Sequence, residues 1–365
     1  MDKSCNEAGV LAASMPSLTN YSRTMTEFAS SSGMAASVSV AMCTYQGQRY
    51  LAEQLESISR QTVLPSELVV CDDQSTDRTV EILESYARTA PFPVKIHVNE
   101  SRLGFAQNFA RSLSLTSEEV VLLTDQDDRW LPTRVAATEA AFSSNPDLTF
   151  TFSDASLMDA DGVPLGRTIY SNIPVRRADR RRIELGSDMG SLILRCGTIY
   201  GCTMAVRARY RDTFLPIPSG WSHDEWIALT LSAIGPSARL GPVTEYRQHC
   251  AQLAGGERWT LRRHLREARK RGRQAYEAEL SRYDNGLAVA LCKPELRASL
   301  APALGRKILF LADRQRVREG CADAPLLLIK LLVNGSYHRF SAGLASAVKD
   351  AAVLLASGFS RYNIF

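Results

Sequence analysis

The run Val120-Val121-Leu122-Leu123-Thr124-Asp125-Gln126-Asp127-Asp128-Arg129-Trp130 decides how the rest of the chain is interpreted. Its apolar first half predicts a strand that is buried on both faces of a sheet. Three carboxylates then follow within four positions, where the strand leaves the sheet, and Trp130 is expected to open a helix. Carboxylates this close disfavour one another's charge unless a cation lies among them, and oxygen ligands suit Mg²⁺ or Mn²⁺. A solvated acidic turn is the alternative interpretation.

The composition is typical of a globular chain of one large or two ordinary domains, with 365 residues, 45% hydrophobic and 22% charged. Eight cysteines are scattered without a Cys-x-x-Cys pair, which indicates buried thiols in a reducing compartment and no zinc site. No apolar run approaches the ~18 residues of a membrane-spanning helix. The N-terminus lacks the basic and apolar regions of a secretory signal. We therefore expect a cytoplasmic protein.

The net charge of +4 conceals an asymmetry between the two ends of the chain. From Glu257 to the end there are twenty Lys or Arg against ten Asp or Glu, about +10, which leaves about −6 for the remainder. A segment of that sign attracts phosphate groups, either on a membrane surface or on nucleic acid. Nucleic acid is the weaker interpretation because the segment lacks aromatic residues interleaved on a sheet face.

Strands alternate with helices at about thirty-residue spacing, which predicts an α/β fold with a doubly wound, mainly parallel sheet. The predicted strands are residues 37–43, 67–73, 94–98, 120–125, 148–152, 199–206 and 239–246. Residues 1–36 show no sustained period and are predicted to be a disordered leader. Residues 37–254 then form the α/β domain, in which 155–183 is an irregular loop or lid. Residues 255–365 form a basic, mostly helical C-terminal region.

Polar motifs follow the predicted elements in a definite order. They are Cys43-Thr44-Tyr45-Gln46-Gly47, Asp72-Asp73-Gln74-Ser75-Thr76-Asp77, residues 99–104, Asp125-Gln126-Asp127-Asp128, His223-Asp224 and Tyr246-Arg247-Gln248-His249. Each motif alone is weak, but together they resemble the family 2 inverting glycosyltransferases of the GT-A fold. The resemblance covers about residues 38 to 254 and is strongest to the bacterial rhamnosyltransferase-like group that assembles surface polysaccharides. It implies a nucleotide-sugar donor and Mn²⁺ or Mg²⁺.

The resemblance assigns a nucleotide-sugar site to the loops after the strands. Its residues would be Thr44, Tyr45, Asp72, Asp73, Arg102, Asp125 and Arg247. The ring of Tyr45 would stack on the base, and Asp73 would accept the N–H of the pyrimidine, whereas Asp72 could instead cap a turn. Arg102 would reach the base or the pyrophosphate, and Arg247 would contact phosphate. A surface arginine and a tyrosine packed on the next helix are the alternatives.

The metal would be held by the acidic loop and by a histidine far along the chain. Asp127 would ligate it directly, and Asp125 would bind the ribose or a metal-bound water. His249 resembles the third protein ligand, or a phosphate contact, of the family, although a lone histidine is often structural. The ion would bridge the two phosphates and stabilise charge on the departing nucleoside diphosphate.

Inverting transfer needs a carboxylate that takes the proton of the acceptor hydroxyl, on the side of the sugar away from the diphosphate. The resemblance assigns this role to Asp224, with helix capping as the alternative. Glu225 could share the role. The other residues assigned to the acceptor side are Gly201, Cys202, Trp221 and Trp226. The two tryptophans would stack on sugar faces or pack in the core.

The chain lacks the Gln-x-x-Arg-Trp motif and the membrane spans of processive synthases, so we expect single additions to a glycan or to a polyprenyl-diphosphate-linked acceptor. Apolar stripes among the C-terminal basic residues predict either attachment to the anionic inner face of the membrane or a helical cap. dTDP-rhamnose is the donor favoured by resemblance, with UDP-hexoses next. A sugar-nucleotide pyrophosphorylase and a non-catalytic binding protein remain as alternatives.

Overall fold

The computed structural model describes residues 36–172, 176–250 and 272–362, with side chains described up to residue 355. The predicted leader up to residue 35, and the predicted junction near residue 254 with the basic stretch after it, lie outside the described residues.

A nine-stranded sheet forms the centre of the molecule. Its strands are β1 (Val38–Thr44), β2 (Glu67–Asp72), β3 (Val94–Val98), β4 (Val120–Thr124), β5 (Arg129–Trp130), β6 (Phe150–Met158), β7 (Pro164–Thr168), β8 (Ala205–Arg207) and β9 (Ser237–Arg247). They lie in the order β3-β2-β1-β4-β8-β6-β9-β5, with β7 beside β6. The first four of that order are parallel, and every residue of β2 and β4 is buried. The predicted α/β fold is confirmed.

Helices cover the sheet and make up the C-terminal region. They are α1 (Leu51–Ser59), α2 (Thr79–Ala87), α3 (Phe105–Leu115), α4 (Arg134–Ser144), α5 (Ile169–Asn172), α6 (Arg177–Leu185), α7 (Met189–Ile193), α8 (Arg211–Phe214), α9 (His223–Ser232), α10 (Arg273–Cys292), α11 (Pro294–Ser299), α12 (Ala301–Glu319), α13 (Ala324–Val333), α14 (Ser336–Phe340) and α15 (Leu344–Tyr362). Proline occupies the first turn of α11, α12 and α13, where its missing N–H costs nothing. Across the described residues, no helix has the length and hydropathy needed to span a bilayer.

Three local predictions were wrong. Trp130 does not open a helix, because Arg129 and Trp130 pair with β9 as a two-residue strand. The stretch after residue 155 is not an irregular loop, since β6 continues to Met158 and pairs with β7, and α6 follows. The strand predicted at 199–206 is a single turn of 3₁₀ helix followed by the three-residue β8, which runs antiparallel to β4 and β6.

The C-terminal helices share one hydrophobic core with the sheet. Phe109 of α3, Trp226 of α9, Tyr283 of α10 and Phe310 of α12 belong to the same cluster of buried side chains. The backbone of α10 approaches α9 closely at Gly286, where an added Cβ would lie 2.9 Å from Trp221 and 3.1 Å from Trp226. The helical region therefore supports α9, which carries the predicted catalytic base at its start.

Candidate active site at the ends of the parallel strands

The loop after β4 brings the carboxylates of Asp125, Asp127 and Asp128 close together. Asp128 is fully buried; its Oδ1 accepts the backbone N–H of Arg247 at 3.1 Å, and its Oδ2 has no hydrogen-bond partner among the described residues. Desolvation, then the charges of Asp127 and Asp224, raise the pKa of Asp125 to about 7. A cation bound among these carboxylates would reduce the repulsion between them and lower the pKa of Asp125.

The buried guanidinium of Arg134 lies beneath this loop. It donates hydrogen bonds to the carbonyl oxygen of Leu123 and to Oγ1 of Thr244, both at 2.8 Å, and it packs 4.1 Å from the ring of Trp130. Burial lowers the pKa of Arg134 to about 10, which leaves it charged at neutral pH. Arg134 therefore provides fixed positive charge under the acidic loop. Sequence reasoning missed it, because nothing distinguishes it from an ordinary residue of the helix.

His249 and Asp127, two of the three predicted metal ligands, are in direct contact. Nε2 of His249 lies 2.8 Å from Oδ2 of Asp127, and the histidine ring packs on Tyr50 at a centroid separation of 4.8 Å. The third predicted ligand is Asp125, whose pKa is raised in part by the negative charge of Asp127. Two carboxylates and an imidazole are a donor set that suits Mn²⁺ or Mg²⁺.

A second group of possible ligand atoms adjoins the first. One oxygen each of Asp125 and Asp128, together with Sγ of Cys202, lie within 4.8 Å of one another. Cys202 was predicted to face the acceptor, but it is 1% exposed and lies under the acidic loop. The prediction for Cys202 is therefore corrected to a buried position next to Asp128.

Arg247 is directed toward protein oxygens rather than toward the cleft. Its side chain is 1% exposed; Nε donates to the carbonyl of Asp127 at 2.8 Å, Nη1 donates to the carbonyl of Ala160 at 3.2 Å, and Nη2 pairs with Glu53. This differs from the predicted phosphate contact. In the structure, Arg247 fixes the backbone that carries Asp127.

Thr44 and Asp72 hydrogen-bond to each other instead of facing a nucleotide. Oγ1 of Thr44 donates to Asp72 at 2.7 Å, and the backbone N–H and hydroxyl of Ser75 donate to the same carboxylate at 2.7 and 2.6 Å. Both Thr44 and Asp72 are buried. Of the two interpretations of Asp72, the structure therefore shows the turn cap, and it gives Thr44 the same structural role.

Asp73 organises the loop after β3. Its carboxylate accepts hydrogen bonds from Nδ2 of Asn99 at 2.8 Å, from the N–H of Leu103 at 2.7 Å and from the N–H of Gly104 at 2.9 Å. Gly104 has a φ of 77°, a conformation that glycine adopts without strain, and it begins α3. The loop held in this way carries Arg102.

Tyr45 and Arg102 form a stacked pair at the mouth of the cleft. The guanidinium carbon of Arg102 lies 3.8 Å from the centroid of the Tyr45 ring, and Nε of Arg102 is 4.0 Å from Asp73. The two side chains are 37% and 57% exposed, respectively, so both remain accessible to a ligand. A base would stack on the guanidinium as the structure stands, or on Tyr45 after Arg102 moves.

Gln126 connects the loop after β1 to the acidic loop, and sequence reasoning missed it. Its Oε1 accepts the N–H of Tyr45 at 2.8 Å and its Nε2 donates to the carbonyl of Tyr45 at 2.9 Å. Gly47 leaves space for it, since a Cβ there would lie 2.3 Å from Oε1. The signal in the sequence was only a glutamine between two aspartates, which could equally have been solvated.

Asp224 meets the acidic loop, although it lies on a different part of the chain. It occupies the first turn of α9, where its Oδ2 accepts the N–H of Gly201 at 3.1 Å and its Oδ1 accepts the N–H of Glu225 at 2.8 Å. The residue after Gly201 is Cys202, whose Sγ lies within 4.8 Å of an oxygen of Asp125, so Asp224 adjoins the acidic loop. The predicted base and two predicted metal ligands are thus neighbours.

Of the two interpretations of Trp221 and Trp226, the structure shows packing in the core. Trp221 and Trp226 are 3% and 0% exposed, and their Nε1 atoms donate to backbone carbonyls at 2.7 and 2.9 Å, so neither ring faces a sugar. Nη2 of Arg282 lies 2.6 Å from the carboxylate of Glu225, and its guanidinium carbon lies 4.1 Å from the Trp221 ring. Glu225 is therefore engaged by α10 and does not share the position of Asp224.

Replacing Arg282 with Met is expected to lower kcat by roughly 10- to 100-fold while the KM for the donor changes little. The substitution leaves Glu225 without its partner at the start of α9, so Asp224 would be displaced from its productive position. Steady-state kinetics and thermal unfolding check this. Arg306→Met, at an exposed position, is the control. An unchanged kcat in a folded Arg282→Met protein would contradict the expectation.

Gly201 lies against the ring of His223. The ring stacks on Phe109 with centroids 3.8 Å apart, and neither of its nitrogens has a hydrogen-bond partner among the described residues. Burial lowers the pKa of His223, so the ring is neutral near pH 7. A Cβ added to Gly201 would lie 2.3 Å from Nε2. Only glycine therefore allows this backbone to approach the ring and donate to Asp224.

Gly201→Ala is expected to lower kcat by roughly 10-fold or more, because the added methyl group must push the Gly201 N–H away from Asp224. In a His223→Ala background the ring is absent, so the same substitution should cost much less. A double-mutant cycle in kcat measures this dependence. Gly197→Ala, where a Cβ would meet nothing within 4 Å, serves as the control. Equal losses in both backgrounds would show that His223 is not the obstacle.

Part of the α/β domain is similar to a known protein family. Residues 39–199 match the family described as Glycosyl transferase family 2. The chain therefore carries a family 2 glycosyltransferase domain.

The matches to individual proteins are partial. The chain is 25% identical over 65% of its length to "Uncharacterized protein Rv1520" of Mycobacterium tuberculosis, covering 66% of that protein. It is 32% identical over 26% of its length to the dTDP-rhamnosyl transferase RfbG of Shigella flexneri, covering 34% of that protein. The matches thus span about two thirds or less of these curated relatives. S. aureus TarS 1-349 in complex with UDP has a similar fold, with a TM-score of 0.50, 15% identity, and 90% and 93% of the two chains covered.

Proposed function

We propose that the protein transfers a sugar from a nucleoside diphosphate sugar, with inversion at the anomeric carbon, to a glycan or lipid-linked glycan acceptor in bacterial surface polysaccharide synthesis. One observation carries the proposal: Asp224 accepts the N–H of Gly201, and the neighbouring Cys202 has its Sγ within 4.8 Å of oxygens of Asp125 and Asp128, so the start of α9 adjoins the acidic loop. Acids from separate parts of a chain are costly to bring together unless they have a common task.

In this mechanism Asp224 accepts the proton of the acceptor hydroxyl as its oxygen attacks the anomeric carbon. The bond from oxygen to carbon forms while the bond from the sugar to the diphosphate breaks, and its electron pair leaves on the diphosphate. The N–H of Gly201 holds one carboxylate oxygen of Asp224 in place. Asp125, Asp127 and His249 would hold Mn²⁺ or Mg²⁺, which when bound would supply positive charge to the departing diphosphate.

The donor site would consist of the exposed pair of Tyr45 and Arg102 above Asp73. The pair offers a flat surface for a base and a guanidinium for phosphate. The similarity to RfbG favours dTDP-rhamnose over UDP-hexoses as the donor. The seven described cysteines are free thiols, in keeping with a protein that works in the cytoplasm.

A donor screen tests the function. The full-length protein would be incubated with dTDP-, UDP- and GDP-sugars, with Mn²⁺, Mg²⁺ or EDTA, and release of nucleoside diphosphate would be measured with and without a lipid-linked glycan fraction. We expect release with one class of donor that increases with acceptor and stops with EDTA. Release of nucleoside triphosphate from donor and pyrophosphate would indicate a pyrophosphorylase, and tight donor binding without any turnover would indicate a binding protein; either result would overturn the proposal.

A further inference from the structure

Two adjacent C-terminal helices expose large apolar side chains. Leu326, Ile329 and Val333 of α13 are 71%, 57% and 83% exposed, and their spacing places them on one face of the helix. On α15, which packs against α13, Leu344 and Val348 are 61% and 60% exposed. Single exposed apolar residues are ordinary, but five on neighbouring helices form an apolar patch of the kind that normally binds another molecule or a membrane.

The arginine-rich helix α6 is connected to this patch through a hydrogen bond to α14. Arg177, Arg180 and Arg181 of α6 are exposed, and none forms an ion pair with an acid in the part of the chain that the structure describes. Nη2 of Arg176, just before α6, donates to the carbonyl of His338 at 3.1 Å. His338 belongs to α14, the short helix between α13 and α15. The guanidinium groups and the apolar side chains therefore lie on neighbouring elements.

We propose that this apolar and arginine-bearing face, formed by α6, α13 and α15, docks the protein on an anionic lipid bilayer. Apolar side chains would enter the boundary of the acyl chains, while the three arginines would contact lipid phosphates. A second copy of the chain suits the face less well, because a symmetric contact would bring the arginines of both copies together. Delivery of a lipid-linked acceptor to the cleft rests on the proposed function, whereas the docking does not.

Sedimentation with vesicles tests the docking without any sugar substrate. The full-length protein should pellet with vesicles that contain phosphatidylglycerol, bind pure phosphatidylcholine vesicles much more weakly, and dissociate as salt is raised. Replacing Arg177, Arg180 and Arg181 together with Gln should weaken partition by roughly 100-fold. Ile329→Asp combined with Val333→Asp should also abolish pelleting, and Leu64→Asp, at an exposed position of the loop after α1, is the matched control.

Three results would overturn the proposal. The first is equal pelleting of the wild type and both sets of variants, and the second is no pelleting of the wild type. The third is a concentration-dependent dimer in sedimentation velocity that Ile329→Asp dissociates, which would make a second copy the occupant. Circular dichroism of each variant separates loss of docking from loss of fold, and the donor screen reports the sugar-transfer activity separately.

Discussion

Asp224→Asn is expected to lower kcat by roughly 10²- to 10⁴-fold, the range typical of a lost general base. The amide has nearly the same shape as the carboxylate and can still accept the N–H of Gly201 through its oxygen, so the fold should be unchanged. It cannot take the proton of the attacking hydroxyl. Donor binding, measured by calorimetry, should stay within a few-fold of the wild type, because Asp224 lies on the acceptor side in the proposed mechanism.

The control for this substitution is Asp284→Asn, at an exposed position of α10 in the same helical region. It removes a carboxylate of the same kind without touching the cleft, so its rate should equal that of the wild type. Turnover of Asp224→Asn at the normal rate would show that another group takes the proton. Glu225 is the poorer candidate, since Arg282 already engages its carboxylate.

Asp127→Ala is expected to reduce metal-dependent turnover by roughly 100-fold or more, and to weaken binding of Mn²⁺ measured by electron paramagnetic resonance in the absence of any sugar. The substitution removes the carboxylate that contacts His249, and it leaves in place the carbonyl to which Arg247 donates. The backbone of the loop should therefore keep its position. A loss of metal binding would then reflect a lost ligand and not an unfolded loop.

Asp147→Ala, which changes an exposed acid in the turn before β6, controls for the loss of one negative charge. His249→Ala should weaken Mn²⁺ binding in the same direction, because the imidazole would be the second donor. Full metal-dependent turnover and unchanged Mn²⁺ binding in Asp127→Ala would mean that the ion lies elsewhere. Asp125, Asp128 and Cys202 would then be the alternative metal-binding group.

The parallel half of the sheet could be predicted because its signal is local. Residues 94–98 form a strand with the bounds that were predicted, and β2 and β4 differ from prediction by one residue at their ends. Uninterrupted apolar runs mark strands with both faces covered, whatever their neighbours are. The antiparallel half could not be predicted in the same way. β8 has only three residues, and β5 exists only because β9 lies beside it.

The roles assigned to Asp127, His249 and Asp224 stay predictions, but the contact of Asp127 with His249 and the position of Asp224 next to the turn that carries Cys202 are features of the structure. The candidate site residues that the structure buries away from the cleft share a property. Trp221, Trp226 and Arg247 are residue types that serve equally well in a site and in a core. Only the groups that surround them distinguish the two uses, and here these are backbone carbonyls of α10, of α8 and of the turn after β6.

The sequence by itself determined the parallel strands and the polar residues that follow them, because hydrophobic periodicity and turn chemistry depend on near neighbours. The tertiary structure alone decided which of these polar groups face the cleft and which hold loops together. Asp72 and Asp73 are adjacent, yet one is closed off by Thr44 and Ser75 while the other supports the loop with Arg102. The physical reason is that the environment of a carboxylate is set by groups that approach it from distant parts of the chain.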